Sequence, residues 1–395
     1  MKIAYCTSYV GREMFARFGK GKNFALSGSL KSLGLARAMM LAGHEVIIYS
    51  PGVTTFNTKI MGFTEFEEYP EGRLAIKYCN IISKRRCDPI NQIRIARCLN
   101  KDHKTEHFDA VIFYNISLAA ALSVSKLKGC MKILEYEDNI FNKALQGDKN
   151  EFEWFKRKLY NKVIGSIDGL MAVCNGLMLP QIKHKVLTPG IINEEVIGSI
   201  SSRVNRLTEG KPVRIILTGG IHYSKGGDLL VKAMSHIKTP CIVSVYGNCN
   251  LDENLKKLVL EVPPCHRFEF NGYMPHGELM KTLERTADIL INTTRSMGVG
   301  DQAAGFPFKM MEYAAMGRPI VSSEIGKLDE FFNQHVTYFK GEDPKMIANA
   351  VESVIAQYDL KVKSALELQQ QVLQEYSIEG LAKRINRFLL DCKNV

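Results

Sequence analysis

Apolar runs of strand length alternate with helical segments along this 395-residue chain, and that alternation constrains its fold more than any other feature. The first cycle contains an apolar run at Lys2–Ser8, a helix that begins at about Ser29, and a second apolar run at Glu45–Tyr49. Two buried strands joined by a helix form a parallel pair with a right-handed crossover. The pattern therefore predicts an α/β protein built from doubly wound parallel sheets.

The alternation is interrupted once, between residues 189 and 212, where glycine, proline and serine replace the apolar periodicity. It restarts at Val213–Leu217. Because the chain is longer than one hydrophobic core usually serves, two domains are expected. We assign residues 1–195 to a first Rossmann-like domain and residues 205–376 to a second. The chain closes with two helical segments, for which the periodicity predicts Pro344–Tyr358 and Ile378–Leu390.

Two such sheets are expected to face one another across a cleft and to bind ligands in the loops that follow their strands. The loop Thr218–Gly227 combines a glycine pair, which lets the backbone approach a phosphate, with Lys225 and the start of a helix. A simple turn is the alternative interpretation. The stretch Glu135–Asn139 gathers three carboxylates, which are solvated, paired or functional. The glycines of Gly19–Phe24 do not form a dinucleotide fingerprint, so no NAD site is expected.

The stretch Ala304–Ser323 carries the most informative polar pair. It contains an apolar loop closed by Pro307, an amphipathic helix and a strand. Lys309 and Glu312 lie three residues apart near the start of the helix, where free backbone amides and a partial positive charge suit a diphosphate. Glu312 can accept hydrogen bonds from a ribose or sugar diol. A packing helix with a solvated polar pair is the alternative.

The chain has 52 basic and 41 acidic residues, and its net charge of +11 predicts an anionic partner. The basic clusters at Lys84–Arg86 and Lys156–Lys158 indicate either contact with an anionic membrane or phosphorylated ligands, or else ordinary solvated faces. No nucleic-acid-binding motif accompanies the charge, so a nucleic-acid partner is not expected.

Ten scattered cysteines without a C-x-x-C pair predict reduced thiols in a cytoplasmic protein, and no metal site is expected. No apolar run reaches the roughly 18 residues that a membrane-spanning helix needs. The start of the chain does not fit a signal peptide. We therefore expect a cytoplasmic protein, either free or peripheral at the inner face of the membrane.

At four motifs the chain resembles the family 4 glycosyltransferases, which are retaining nucleotide-sugar enzymes of GT-B fold. The motifs occur in the family's order and span nearly the whole length: GHEVIIYSPG (Gly43–Gly52), VLTPGIINEEV (Val186–Val196), the strand and helix from Phe270 to Ile289, and FPFKMMEYAAMGRPIVSS (Phe306–Ser323). The resemblance implies two Rossmann-like domains, the first on the acceptor side and the second on the donor side. It also implies that the C-terminal helix, residues 377–395, returns to the first domain.

The resemblance further implies transfer of a hexosyl unit from a UDP- or GDP-sugar to a hydroxyl group, with retention. The partners would be the nucleotide sugar and a glycan or lipid-linked acceptor, as in bacterial polysaccharide biosynthesis, and no cofactor or metal would be needed. The residues that match the catalytic positions are Lys225 for the diphosphate, Glu312 for the ribose, and Glu137 and Asp138 near the acceptor and the transferred sugar. The residues that match donor-binding positions are Gly28, Gly219, Gly220, His222, Gly272, Tyr273, Asp301, Phe306, Pro307, Phe308 and Lys309.

Two positions depart from the family pattern. The first glutamate of the E-x7-E motif falls on Ala304, so Asp301 or Gln302 would have to contact the sugar. The arginine that precedes the diphosphate lysine falls on Gly220, which leaves His222 or Lys309 to assist. These departures keep three alternatives open: an epimerase of the same fold, a phosphorylase, and a non-catalytic subunit that binds a sugar nucleotide.

Overall fold

The computed structural model describes residues 1–18, 26–52, 59–82, 88–137, 151–200, 207–208, 210–295 and 306–394. These residues form two compact units. The first comprises Met1–Val173, Leu177–Ile191 and Ile378–Val395, and the second comprises Cys174–Gly176 and Ile192–Ser377. Each unit contains its own mostly parallel sheet with helices between the strands, so the predicted α/β class is confirmed.

The first unit contains an eight-stranded sheet in the order β10-β9-β8-β7-β1-β2-β5-β4, in which only β4 runs antiparallel to its neighbour. Its strands are β1 (Lys2–Cys6), β2 (Glu45–Ser50), β4 (Phe63–Tyr69), β5 (Gly72–Tyr78), β7 (Ala110–Tyr114), β8 (Met131–Tyr136), β9 (Gly169–Ala172) and β10 (His184–Leu187), and β3 (Lys59–Ile60) pairs separately with β6 (Ile81–Ile82). Its helices are α1 (Arg12–Phe18), α2 (Leu26–Leu41), α3 (Asp88–Glu106), α4 (Leu118–Ser123) and α5 (Glu151–Ile164).

The second unit contains a six-stranded parallel sheet in the order β13-β12-β11-β14-β15-β16. Its strands are β11 (Val213–Thr218), β12 (Cys241–Tyr246), β13 (Arg267–Gly272), β14 (Ile289–Asn292), β15 (Ile320–Ser323) and β16 (Thr337–Phe339). Its helices are α6 (Glu194–Ile197), α7 (Gly227–Ala233), α8 (Glu253–Leu260), α9 (His276–Thr286), α10 (Lys309–Ala315), α11 (Leu328–Phe332), α12 (Pro344–Ala356) and α13 (Tyr358–Tyr376). The chain order reverses between β11 and β14, which makes this point the topological switch of the sheet.

The central strands are mostly apolar because helices cover both faces of a parallel sheet, and their polar residues lie largely at the strand ends. Every residue of β14 and β15 is buried, as are Ile215 and Leu217 in β11. The apolar side chains of α7 and α12 complete the core. This packing holds the carboxyl ends of β11 and β14 in fixed positions.

The end of the chain contains three helices where the sequence predicted two. The additional helix, α13, packs against α10, and the Gln369 side-chain amide donates to the carbonyl oxygen of Ala315 at 2.7 Å. A final helix, α14 (Ile378–Lys393), packs against α2 and β10 in the first unit. Within the part of the chain that the structure describes, no helix is both long and apolar enough to cross a lipid bilayer.

Candidate functional site at the switch point of the second sheet

Two glycines form the turn that follows β11. Gly219 and Gly220 have positive φ angles of +91° and +88°, and their amides donate to the carbonyl oxygen of Tyr246 at 2.9 and 3.1 Å. A Cβ atom at Gly220 would lie 2.6 Å from the carbonyl oxygen of Asn248. Both the backbone angle and the neighbouring loop therefore require glycine at position 220. No arginine fits there unless the loop after β12 moves.

Lys225 ends a single 3₁₀ turn, Tyr223–Lys225, that follows the glycine pair. The next residue, Gly226, has a φ angle of +68°, and a Cβ atom there would lie 2.0 Å from the carbonyl oxygen of Thr293. The Thr293 hydroxyl donates to the carbonyl oxygen of Lys225 at 2.7 Å. The backbone of the turn is thus fixed to the end of β14, while the Lys225 side chain is exposed. His222, just before the turn, is half-buried.

Arg295, which the sequence analysis did not single out, supports this turn from the loop after β14. Its guanidinium donates two hydrogen bonds to the Asp228 carboxylate, at 2.7 and 3.0 Å, and lies 3.8 Å from the centroid of the Tyr223 ring. Burial opposes ionisation of Asp228, but the hydrogen bonds from Arg295 dominate and lower the pKa of that carboxyl group. Because its charge is paired, Arg295 has a structural role and does not replace the arginine that is missing at Gly220.

Lys309 begins α10, and its ammonium group donates to the carbonyl oxygen of Thr218 at the end of β11, at 3.3 Å. Burial and then the positive charge of Lys225 lower the pKa of Lys309 to about 7, an effect that the Glu312 carboxylate opposes. Among the described residues, neither Lys225 nor Lys309 has a carboxylate within ion-pair distance. Two lysine side chains therefore share the edge of the sheet at its switch point without a paired carboxylate among the described residues, and Lys309 is only partly charged at neutral pH.

The backbone amides at the start of α10 contribute less than the sequence suggested. The Met310 amide donates to the carbonyl oxygen of Pro307 at 2.8 Å, and the Met311 amide donates to that of Phe308 at 3.0 Å. These two amides are consequently not free for an anion, because the first turn of this seven-residue helix closes on the preceding loop. The amides of Met310 and Met311 therefore add nothing to the binding of an anion at this edge.

Aromatic side chains position α10 and the loop before it. The Phe306 ring is buried against Phe331 and Phe332, with centroid distances of 5.2 and 5.7 Å, so this residue serves packing. The Tyr313 hydroxyl accepts a hydrogen bond from the Thr218 amide at 2.9 Å and thereby ties α10 to the end of β11. The predicted sugar contacts Asp301 and Gln302, and the departure at Ala304, lie outside the described residues.

Glu312 is buried, and its Oε1 atom accepts a hydrogen bond from His276 Nε2 at 2.7 Å. The other ring nitrogen of His276, Nδ1, donates to Glu195 Oε2 at 2.7 Å. The hydrogen bond to Glu312, its charge and the contribution of Glu195 outweigh burial and raise the pKa of His276 to about 9. Imidazolium is therefore the form present at neutral pH, held between two carboxylates.

The sequence analysis missed His276 although it named the loop that leads to it. Gly272 ends β13 with a φ angle of +69°, and the Tyr273 side chain is 76% exposed. His276 follows three residues later as the first residue of α9. The available signal was a histidine at the start of a helix that follows a strand, but its two acidic partners lie 81 and 36 residues away in the chain.

In the first unit, the predicted acidic loop after β8 is paired. The Lys31 ammonium lies 3.0 Å from Glu135 Oε1 and 2.9 Å from Glu137 Oε2, and the side chains of Lys31 and Glu135 are only 4% and 1% exposed. The Tyr5 hydroxyl also donates to Glu135, and the Glu137 amide donates to the side chain of Asn115 at 2.8 Å. Of the three interpretations left open for this loop, the structure supports pairing for both glutamates. Asp138 lies outside the described residues.

Gly28 lies exposed in α2, and a Cβ atom there would meet no atom of the described residues within 4 Å. The nine described cysteines are free thiols. Among the residues that the structure describes, no three histidine, cysteine, aspartate or glutamate side chains are placed to hold a metal ion.

Comparisons with known proteins relate the region that contains this candidate site to glycosyltransferases. Residues 212–357 match the family model of glycosyl transferases group 1. The gpi3 subunit of phosphatidylinositol N-acetylglucosaminyltransferase from Schizosaccharomyces pombe is 24% identical over 181 residues, which are 44% of this chain and 37% of that protein. The amylovoran biosynthesis glycosyltransferase AmsK from Erwinia amylovora is 26% identical over 176 residues, 41% of this chain and 43% of that protein. The matched region therefore spans less than half the length of either relative.

Solved structures match over the whole chain. Sucrose-phosphate synthase from Thermosynechococcus elongatus has a TM-score of 0.67 at 14% identity, over 99% of this chain and 98% of that one. HepE from Anabaena, in complex with UDP, has a TM-score of 0.65 at 11% identity, over 99% of this chain and 100% of that one. These likenesses confirm the predicted two-domain fold, and the family match confirms the predicted resemblance.

Proposed function

We propose that the chain transfers a hexosyl unit from a UDP- or GDP-sugar to a hydroxyl group, with retention and without a metal, because residues 212–357 match the family model of glycosyl transferases group 1. The observation that carries the proposal is the pair of cations, Lys225 and Lys309, beside the glycine turn at the switch point. A diphosphate suits this arrangement, because its negative charge would pair with the two lysine side chains, which have no carboxylate partner among the described residues.

The charge distribution fits the chemistry of the step. As the bond between the anomeric carbon and the phosphate oxygen breaks, negative charge grows on the diphosphate, and preorganised ammonium groups stabilise it. An arriving diphosphate also favours the protonated form of Lys309, whose pKa is otherwise depressed. The acceptor oxygen bonds to the anomeric carbon, and its proton passes to the departing phosphate oxygen. This route requires no carboxylate nucleophile.

Glu312 and the first-unit acids have binding roles in this proposal. The Oε2 atom of Glu312 has no hydrogen bond among the described residues, so it is available for a ribose hydroxyl group. Glu137, together with Asp138, would contact the acceptor or the transferred sugar. Lys31 already forms an ion pair with Glu137, which suits binding of a hydroxyl group better than nucleophilic attack.

The names of similar proteins support the choice of substrates. HepE has been solved with UDP and with UDP-glucose, AmsK acts in amylovoran biosynthesis, and the gpi3 subunit belongs to a phosphatidylinositol N-acetylglucosaminyltransferase. We propose accordingly a UDP-sugar as the first donor to test, and a glycan or lipid-linked acceptor. The comparisons do not favour an epimerase or a non-catalytic binding subunit.

We also propose that the protein acts in the cytoplasm and contacts anionic lipid through its first unit. A cavity of about 790 Å³ beside α3 is lined by basic residues, and its lining contains no carboxylate among the described residues. The basic residues are Arg97, Lys101, Lys104, Lys126 and Lys128. Sedimentation with phosphatidylglycerol vesicles should capture the protein at low salt and release it at high salt. Equal capture by phosphatidylcholine vesicles would contradict this part of the proposal.

A thermal-shift screen over UDP, GDP, ADP and their common sugars tests the donor assignment. We expect one uridine or guanosine nucleotide to raise the melting temperature, and the effect to survive EDTA because lysines bind the diphosphate. Incubation of the selected nucleotide sugar with glycan and lipid-linked acceptors should then release the nucleoside diphosphate. If no nucleoside diphosphate stabilises the protein, the proposed function is wrong.

A further inference from the structure

Glu195, His276 and Glu312 form a continuous hydrogen-bonded chain across three helices of the second unit. His276 begins α9, Glu312 lies in α10, and Glu195 lies in α6, which packs against both α9 and α10. Both ring nitrogens of His276 are used, each at 2.7 Å from a carboxylate oxygen. The two hydrogen bonds hold the imidazole ring at both of its nitrogen atoms. The ring therefore cannot rotate without breaking at least one of them.

The consequence for Glu312 is geometric. A free glutamate rotates about its last side-chain bond with a broad, roughly two-fold preference, so either oxygen could face a ligand. Here His276 binds Oε1, and only Oε2 is left without a hydrogen bond among the described residues. A hydrogen bond between charged groups is short and strongly directional, so the bond to His276 fixes the plane of the Glu312 carboxylate and leaves its second oxygen turned away from the imidazole.

We propose that His276, oriented in turn by Glu195, is a positioning residue that holds the Glu312 carboxylate ready to accept hydrogen bonds from the ribose hydroxyl groups of the donor nucleotide. This inference rests on the proposed function, because it assumes that a nucleotide binds at Glu312. His276 itself does not touch the nucleotide; it acts through Glu312.

The role of Glu195 follows from its place in the chain. It lies three residues after Ile192, where the second unit begins, and its side chain is 59% exposed. Exposure weakens its hydrogen bond, so its loss should be felt less than the loss of His276. Its contribution is to keep Nδ1 of His276 occupied, which keeps Nε2 directed at Glu312.

The experiment compares UDP with 2′,3′-dideoxy-UDP, which lacks the hydroxyl groups that Glu312 would bind; if the screen selects GDP, the guanosine pair replaces them. In the wild-type protein we expect the dideoxy analogue to bind roughly tenfold more weakly. In Glu312→Ala the two should bind equally. In His276→Ala the ratio should fall to about twofold or less, and in Glu195→Gln it should fall part of the way.

His236→Ala is the matched control, because His236 is an exposed histidine of the same unit and lies away from Glu312. It should keep the wild-type ratio. His276→Gln, which retains a donor without the charge, should recover part of the ratio and serves as the second variant if His276→Ala fails to fold. A merely structural role would weaken both nucleotides equally and leave the ratio unchanged, and that result would overturn the inference. Wild-type protein that binds neither nucleotide would instead refute the proposed function.

Discussion

The carboxyl ends of the two sheets differ in how the charges of their lysine side chains are paired. At the edge of the first sheet, Lys31 is buried between Glu135 and Glu137, and each carboxylate has an ion-pair partner within the protein. At the edge of the second sheet, Lys225 and Lys309 approach each other without a carboxylate partner among the described residues, and the pKa of Lys309 falls to about 7 as a result of burial and of Lys225. The carboxylates of the first edge are paired within the protein, whereas in the proposed function the lysines of the second edge are paired by the diphosphate of the donor.

Removing the buried cation of the first unit should have the largest effect. In Lys31→Met the Glu135 carboxylate stays buried without its cation, and breaking a buried pair in this way costs about 3–5 kcal/mol. We expect a loss of that size in the free energy of unfolding, measured by urea denaturation. Arg17→Met breaks the exposed pair with Glu13 and should cost less than about 0.5 kcal/mol. Similar losses in the two variants would mean that the first edge is not held by its charges.

Removing the exposed cation of the second unit should affect function and not stability. Lys225 makes no ion pair among the described residues, so Lys225→Ala should unfold at the wild-type temperature. Loss of a group that stabilises developing charge slows a reaction by about 100-fold or more. We therefore expect transfer from the selected nucleotide sugar to slow about 100-fold.

Lys232 provides the control for Lys225, because it is an exposed lysine of the following helix, α7. Lys232→Ala should keep the wild-type rate. If Lys225→Ala also transfers sugar at that rate, the two cations do not bind the diphosphate, and the contrast between the two edges loses its functional meaning.

Because Lys309 of the second unit is half-buried, we expect the binding of a nucleotide sugar to depend on pH. Raising the pH from 6 to 8 removes the charge of Lys309, whose pKa is about 7, so binding of UDP-glucose should weaken by roughly threefold to tenfold. UDP-glucose is the suitable probe because its diphosphate diester does not titrate in this range. Lys309→Arg keeps its charge and should bind equally at both pH values. A wild-type affinity that is independent of pH would indicate that Lys309 does not contact the diphosphate.

The alternation of strands and helices was enough to predict both sheets, because a parallel strand that is buried on both faces must be apolar throughout. The edge strand β4 shows where this reasoning stops. Glu65 and Glu67 are buried there while Phe66 is 52% exposed, the reverse of what polarity suggests. The two carboxylates accept hydrogen bonds from the amides of Met14 and Arg12, 51 and 55 residues away. Such pairing depends on tertiary structure, so the local sequence pattern does not predict it.

The residues of the candidate site also fall into two groups: those that the local sequence predicts and those that depend on tertiary contacts. Lys225 and the glycine pair could be predicted because the chemistry lies within one loop of ten residues, Thr218–Gly227. His276 and Arg295 could not, since each acts on a group that lies far away in the chain: Glu312 and Glu195 for the histidine, and Asp228 for the arginine. The helix at Lys309 was predicted, but the use of its first amides depended on how the preceding loop closes.

The smallest predicted effect concerns the contribution of His276 to the pH dependence of stability. Folding raises the pKa of His276 from 6.5 to about 9, so its contribution to stability is fully present below pH 6.5 and is lost as the pH rises through 9. After allowance for partial exposure we expect about 1 kcal/mol. Lys309 shifts in the opposite direction and by more, so the stability gained from its deprotonation can outweigh the loss from His276 in the wild-type protein. The informative quantity is therefore the wild-type free energy of unfolding minus that of His276→Gln, measured by urea denaturation between pH 6 and 9.5. This difference should shrink as the pH rises. A constant difference would mean that the imidazole held between Glu195 and Glu312 is neutral, so that His276 contributes no positive charge to the second unit.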